Sequence, residues 1–399
     1  MIPKSEWDAY NKSVDSICSK AQAAAIRAVG TAVHAGELSG MGIAEVREQV
    51  KAVLEPVILA FSEAASELAA EWYDAEAEGH GYKLPAAVTC VDGCGDVVDS
   101  TVRYQIRKLM DGDAEGFARA CGALARDAAA RQLNATIIAN AKRDKGSGVR
   151  FARVTTGRET CAFCYMLASR GAVYHTRETA GQFSHYHRNC DCKVVPGFED
   201  DPDAALVEGH DPAIMRERMA LIEEQTGLSF SSRDDLSKLS REIGSRDPGW
   251  LYGTVTLEPR FQDGAAPNDF ELKTAVKLSE NGYQCVFRRT RDAEMLKTSD
   301  VFIVGNDGEV EWDFKCPTGN GRQTVYHQFE EAAGQAHCVV IDFRQAGDAY
   351  SDGKFTADMV KRFIKYHYKI TSGIDKGNEW GFTEAIAILK DGSLKKIVR

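Results

Sequence analysis

VFIVGNDGEVEWDFKC, Val301 to Cys316, decides how the C-terminal third of the chain folds. Two strand-like runs flank Asn306-Asp307-Gly308, the short-turn chemistry that folds one strand back on the next. In the returning strand side chains alternate with period two, so Val310, Trp312, Phe314 and Cys316 face one way and Glu309, Glu311, Asp313 and Lys315 the other. Tracing this hairpin brings Asp300, which opens the first strand, beside the far end of the second, where Asp313 and Lys315 lie.

Two carboxylates on adjacent strands with a lysine two residues further on one face are the minimum for metal-dependent phosphodiester cleavage. The acids hold Mg²⁺ or another hard divalent cation, and the lysine orients the nucleophile or neutralises developing charge. Glu271, in the first turn of the preceding helix, offers a third carboxylate. On the strand alone, a solvated half-exposed face explains the same alternation. Trp312 and Phe314 are expected to hold the acids in place and Glu309 to face solvent, with Glu311 open.

Around this hairpin the last domain, residues 261–399, reads as an α/β unit with a mixed sheet. NDFELKTAVKLSENGY is a capped helix ending at Gly282, QCVFRR a strand, TVYHQFEEAAGQAH a helix, CVVIDF a buried strand and EAIAILKDGSLKKIV a closing hairpin. DMVKRFIKYHYKI is an amphipathic helix. It sets Lys361, Arg362, Lys365 and Lys369 beside Phe363, Tyr366 and Tyr368, which suits either nucleic-acid contact or an ordinary core-and-solvent division. Gln328 and Gln335 stand seven apart on one expected helical face.

The front of the chain has a different texture. Residues 1–145 are helical in pattern except for the loop GHGYKLPAAVTCVDGCGD, whose Cys90 and Cys94 have no second pair nearby. Residues 146–200 concentrate metal-ligand types: CAFC at 161–164 and HYHRNCDC at 185–192. Cys161 and Cys164 with His187 and Cys190, and with Cys192 or His185 as substitutes, have the spacing of a structural zinc site. Residues 201–260, with two Asp-Pro steps and a run of serines, read as a linker with helical segments.

The composition is that of a globular protein, with 44% hydrophobic and 27% charged residues among 399. That length predicts a multidomain chain, and the absence of an apolar spanning run predicts a soluble product made in the bacterial cytoplasm. The net charge of −10 excludes a protein coated all over with nucleic acid, and it is unevenly spread: from Pro267 onward 19 basic residues meet 20 acidic ones. Eleven cysteines in such a product point to metal rather than a disulfide scaffold.

Two resemblances follow from the quoted strings. TTGRETCAFCYMLASRGAVYHT with HYHRNCDCKVVPGF resembles the C-terminal module of Mu F-like phage minor head proteins, matched at Cys161, Cys164, His187, Cys190 and Cys192. This implies a portal-associated component inside the virion or procapsid, with portal and capsid proteins as partners. ELKTAVKLSENGYQCV, TSDVFIVGNDGEVEWDFKCPTG and TVYHQFEEAAGQAHCVVIDFR together resemble the C-terminal tRNA nuclease domain of contact-dependent growth inhibition toxins, of PD-(D/E)xK type. Carried over, Glu271, Asp300, Asp313 and Lys315 are catalytic, and Thr318 and Gln335 stand with the substrate contacts. Ser299 replaces the family's proline, and Asp313 its commoner glutamate. The resemblance implies a tRNA or DNA substrate in a target cell's cytoplasm and an immunity protein that protects the producer.

Overall fold

The computed structural model describes residues 1–156, 160–175, 192–289, 299–365 and 381–399. The chain divides into two units, Met1–Thr156 with Leu167–Pro212, and Gly157–Met166 with Ala213–Arg399.

The first unit is built on four helices: α1 (Lys4–Leu38), α2 (Ile43–Gly79), α3 (Gly95–Met110) and α4 (Ala114–Arg143). Each buries a stripe at three- and four-residue spacing; on α1 it runs Trp7, Tyr10, Val14, Cys18, Ala21, Ala25, Val29 and Ala32. Small residues let α4 lie deep among its neighbours. A Cβ at Gly122 would come within 2.6 Å of Ile26 Cγ1, so only glycine permits this approach. The loop between α2 and α3 is tied down by Asn140, whose side chain bonds both the amide and the carbonyl of Val88 at 2.9 Å. An antiparallel pair, β1 (Arg150–Val154) and β2 (Lys193–Gly197), is joined to α4 where the Val194 amide donates to Asn134 Oδ1 at 2.8 Å.

The second unit centres on a seven-stranded mixed sheet in chain order: β3 (Arg260–Phe261), β4 (Gln284–Phe287), β5 (Val301–Gly305), β6 (Gly308–Lys315), β7 (Cys338–Asp342), β8 (Glu384–Ile388) and β9 (Leu394–Val398). Strands β4, β5 and β6 form an antiparallel meander, β6, β7 and β8 run parallel, and β9 closes antiparallel. Helix α9 (Asp269–Glu280) covers one face, packing Ala275 and Leu278 with Cys285, Trp312, Phe314 and Val340. Helices α10 (Arg322–Ala332) and α11 (Gly353–Lys365) cover the other, packing Val325, Phe329, Val360 and Ile364 with Val339, Ile341 and Ala385. The faces alternate residue by residue along β7 because strand side chains do.

Two expectations change here. The 201–260 stretch is packed structure beyond its first dozen residues. Helices α6 (Pro212–Thr226), α7 (Leu236–Gly244) and α8 (Pro248–Tyr252) surround Arg246, which has no exposed surface. Its guanidinium meets Glu242 Oε1 at 2.5 Å, Gln225 Oε1 at 2.8 Å and the Asn281 carbonyl, and lies 4.1 Å over the Tyr283 ring. The stretch reads as polar, yet two of its charges, Glu242 and Arg246, are buried and partner each other, while others such as Arg233, Lys238 and Arg241 face solvent. The second change is at α10, which ends at Ala332; Ala333, Gly334 and Gln335 form a turn, so Gln335 does not share a helical face with Gln328.

Candidate active site

The β5–β6 register pairs Val301 with Trp312, which sets Asp300, one residue earlier, opposite Asp313. Asp300 is anchored by the backbone: its Oδ2 accepts the Phe314 amide at 2.7 Å. The strip of acids on β6 runs from water into the protein. Glu309 is exposed and Glu311 half-exposed, whereas Asp313 has no exposed surface and the Lys315 side chain keeps 13%.

Asp313 is unusual in what surrounds it. Lys315 Nζ lies 2.6 Å from its Oδ2 as a close ion pair, and among the described residues no backbone amide reaches either carboxylate oxygen. Burial, and then the Asp300 charge, push its carboxyl up to about 7 against the pull of Lys315. Lys315 in turn reaches Gln335 Oε1 at 3.5 Å, so the turn after α10 does bring Gln335 to the cluster.

Glu271 occupies the third position of α9 and completes a capping box. Its Oε2 accepts the Asn268 amide at 2.9 Å and its Oε1 the Asn268 Nδ2 at 2.7 Å. Its carboxyl is raised by burial, opposed by those bonds, with Asp300 adding repulsion and Lys315 attraction. Glu271 therefore belongs to the electrostatic field of the cluster while its oxygens serve the helix end.

Among the described residues no three His, Cys, Asp or Glu side chains converge as a complete metal cage. A hydrated hard cation needs fewer, since it is held by one or two carboxylates with water and phosphate oxygens filling the rest. Asp313, a buried carboxylate beside a second carboxylate, fits that demand, and a cation there would offset the burial and the repulsion that raise its carboxyl.

Of the other expected residues, Thr318 is exposed three residues beyond Lys315, in the loop between β6 and α10. Lys361 and Arg362 are exposed on α11. The Lys365 side chain and residues 366–369, with Tyr366, Tyr368 and Lys369, lie outside the described residues, as do His185, His187 and Cys190. Cys161 Sγ accepts the Cys164 amide at 3.4 Å at the start of α5 (Ala162–Ala168), which sets the CxxC pair as a knuckle able to present two thiolates. Cys192 is buried against the Arg153 guanidinium.

The sequence reading missed a network next to the acids. Asp342, at the end of β7, accepts from Thr274 Oγ1 at 2.8 Å and from Arg344 Nη2 at 2.5 Å, and Thr274 Oγ1 lies 3.5 Å from Cys316 Sγ. Its one signal was Asp342-x-Arg344, a same-side pair at the mouth of a buried strand.

Two family models match separate parts of the chain. The VG15 protein family model matches residues 1–222, and the model of the contact-dependent growth inhibition CdiA C-terminal domain matches residues 297–376. The Gene 15 protein of Mycobacterium phage L5 is 35% identical over 85 residues, covering 12% of this chain and 29% of that protein. Its counterpart in Mycobacterium phage D29 is 34% identical over 77 residues, with 12% and 28% covered. The chain thus spans under a third of the length of these curated relatives. A chain of the CdiA-CT/CdiI toxin and immunity complex from Burkholderia pseudomallei aligns with 18% identity and a TM-score of 0.24, over 36% of this chain and 99% of that one. No helix among the described residues is long and apolar enough to cross a membrane.

Proposed function

Since the chain belongs to the VG15 protein family, we propose that it is a phage or prophage minor head protein carrying a C-terminal metal-dependent nuclease toxin that cleaves tRNA. The head region, of Mu F-like type with a structural zinc at Cys161, Cys164, His187 and Cys190 (Cys192 the alternative), anchors the chain with portal and capsid proteins inside the particle. The C-terminal domain acts in the cytoplasm of the cell that receives it, and an immunity protein guards the producer.

One observation carries the nuclease reading: Asp313 is fully buried, ion-paired with Lys315 and opposite Asp300 at the ends of adjacent strands. The order α9, β4, β5, β6, α10, β7, a helix and an antiparallel meander followed by a parallel crossover, supports a PD-(D/E)xK-type core. The match of residues 297–376 to the CdiA C-terminal domain supports a toxin.

A divalent cation at Asp300 and Asp313 would polarise the scissile phosphate and lower the pKa of an attacking water. The chain's own residues do the rest. The Phe314 amide fixes Asp300, and burial fixes Asp313 opposite it. Lys315, steadied by Gln335, holds its charge where the attacking oxygen or the phosphate oxygens gather negative charge. Glu271 keeps the α9 terminus in register with the two strands, and Thr318, Lys361, Arg362 and Lys365 are candidates for phosphate contact.

Incubation of the full chain with tRNA and with plasmid DNA, in Mg²⁺, Zn²⁺ or EDTA, tests this. Cleavage of tRNA that needs the metal supports the reading, cutting of plasmid alone moves the substrate to DNA, and an intact pair under every metal leaves a structural phage protein.

A further inference from the structure

A cleft opens beside the acid cluster, lined by Phe270, Lys273, Cys316, Asp342, Arg344 and Gln345. It lies on the α9 side of β6, the face of Cys316 rather than that of Asp313 and Lys315, and it adjoins the acids at the strand end through Glu271, which follows Phe270 on α9 and whose charge acts on both Cys316 and Lys315. Its chemistry differs from that of the acids. Phe270 is 43% exposed at the edge of the cleft, on a helix that buries Ala275 and Leu278. Lys273 is exposed one helical turn along, with its Nζ 6.0 Å from the ring centroid.

Arg344 is held rather than loose. Asp342 takes its Nε at 3.0 and 3.1 Å and its Nη2 at 2.5 Å, and the Lys273 carbonyl takes Nη2 at 2.9 Å. Asp342 is itself buried and pinned by Thr274. Nη1 is engaged by none of these bonds, so the fork presents one edge outward with its orientation already fixed. One carboxylate against two cations leaves the cleft with a single positive charge, the complement of one phosphodiester.

We propose that this cleft is the subsite for the nucleotide flanking the scissile phosphate, with the base stacked on Phe270 and its phosphodiester taken by Arg344 Nη1 and Lys273. The inference rests on the nuclease reading above, and it gives that reading a place for the polymer on the α9 side of the acids. Stacking on a single ring is tolerant of base identity, so the subsite sets position along the strand rather than sequence.

The test is equilibrium binding of a fluorescent eight-nucleotide RNA to the full chain carrying Asp313→Asn, where binding is read without cutting. Phe270→Ala is expected to weaken binding about tenfold or more, with recovery to within about threefold in Phe270→Tyr. The same RNA with an abasic site should bind the parent and Phe270→Ala alike. Lys273→Gln should lower the salt dependence of binding by about one phosphate contact. Phe270 and Lys273 are exposed, so unchanged melting curves separate these losses from unfolding. Equal affinity of the Phe270→Ala and Lys273→Gln chains with their parent overturns the subsite. Phe270-dependent binding by a chain whose native form cuts no nucleic acid leaves the subsite standing and removes the nuclease reading. Cleavage by the native chain with Phe270-independent binding does the reverse.

Discussion

Asp300 and Asp313 face each other across two antiparallel strands, one carboxylate secured by the Phe314 amide and the other buried against the Lys315 ammonium. Placing two acids so close is costly unless something takes up their charge, and three groups can: a proton, Lys315 or a cation.

The proton makes a stability prediction. The Asp313 carboxyl sits near 7 in the folded chain, above its ordinary value near 4, so the folded state binds the proton more tightly than the unfolded one. Its contribution is fully present below about pH 4 and is lost as pH rises through about 7. Asp313→Asn should therefore stabilise the metal-free protein at pH 8, on the order of a few kcal/mol, and change it little at pH 4. Calorimetric melts of the full chain at the two pH values check this.

The cation competes with that proton. Addition of Mg²⁺ or Mn²⁺ should raise the melting temperature of the native chain at pH 8, and the shift should shrink steadily toward pH 5. In Asp313→Asn the shift should be absent at both.

Glu311 supplies a control on the same strand face. Its Oε1 lies 2.9 Å from Arg288 Nη1 and its side chain is half-exposed. Such a pair contributes about 1 kcal/mol or less. Glu311→Ala should keep nuclease activity within a few-fold and shift stability by no more than that.

The Arg246 network sets where the second unit begins. Glu242 is buried, which opposes ionisation, yet Arg246 and Lys396 outweigh that and hold its carboxyl at about 2. Removing one partner strands the other, a loss of about 3–5 kcal/mol. Arg246→Ala should destabilise the second unit by that order, and a fragment beginning at residue 261 should melt well below one beginning at 213. Denaturant titration of the two fragments measures the difference.

The zinc proposal is checked by elemental analysis of the full chain, with about one zinc per chain expected. That zinc should be lost on substituting Cys161→Ser.

How much was legible in the sequence follows from how far apart the partners lie. Asp300, Asp313 and Lys315 were readable because a short turn and a period of two fix their positions locally. The Asn268 cap and the α9 end at Gly282 were readable for the same reason, the latter with φ of 89°. Arg246 was not: its partners Gln225 and Asn281 come from other helices, so a run of serines and charges looked like a linker. Gln335 was assigned the right neighbourhood on the wrong element, because nothing local marks the helix end at Ala332 before Gly334. Arg344 escaped notice because its importance comes from Asp342 and Thr274, which meet only once β7 lies beside α9.

The most direct measurement of the central claim is the rate of tRNA cleavage by the full chain at saturating Mg²⁺, compared with Asp313→Asn and Lys315→Met. The account predicts metal-dependent cutting by the native chain and a loss of about a thousandfold or more in each variant, with both still folded. Cutting by Asp313→Asn within tenfold of the native rate would contradict it.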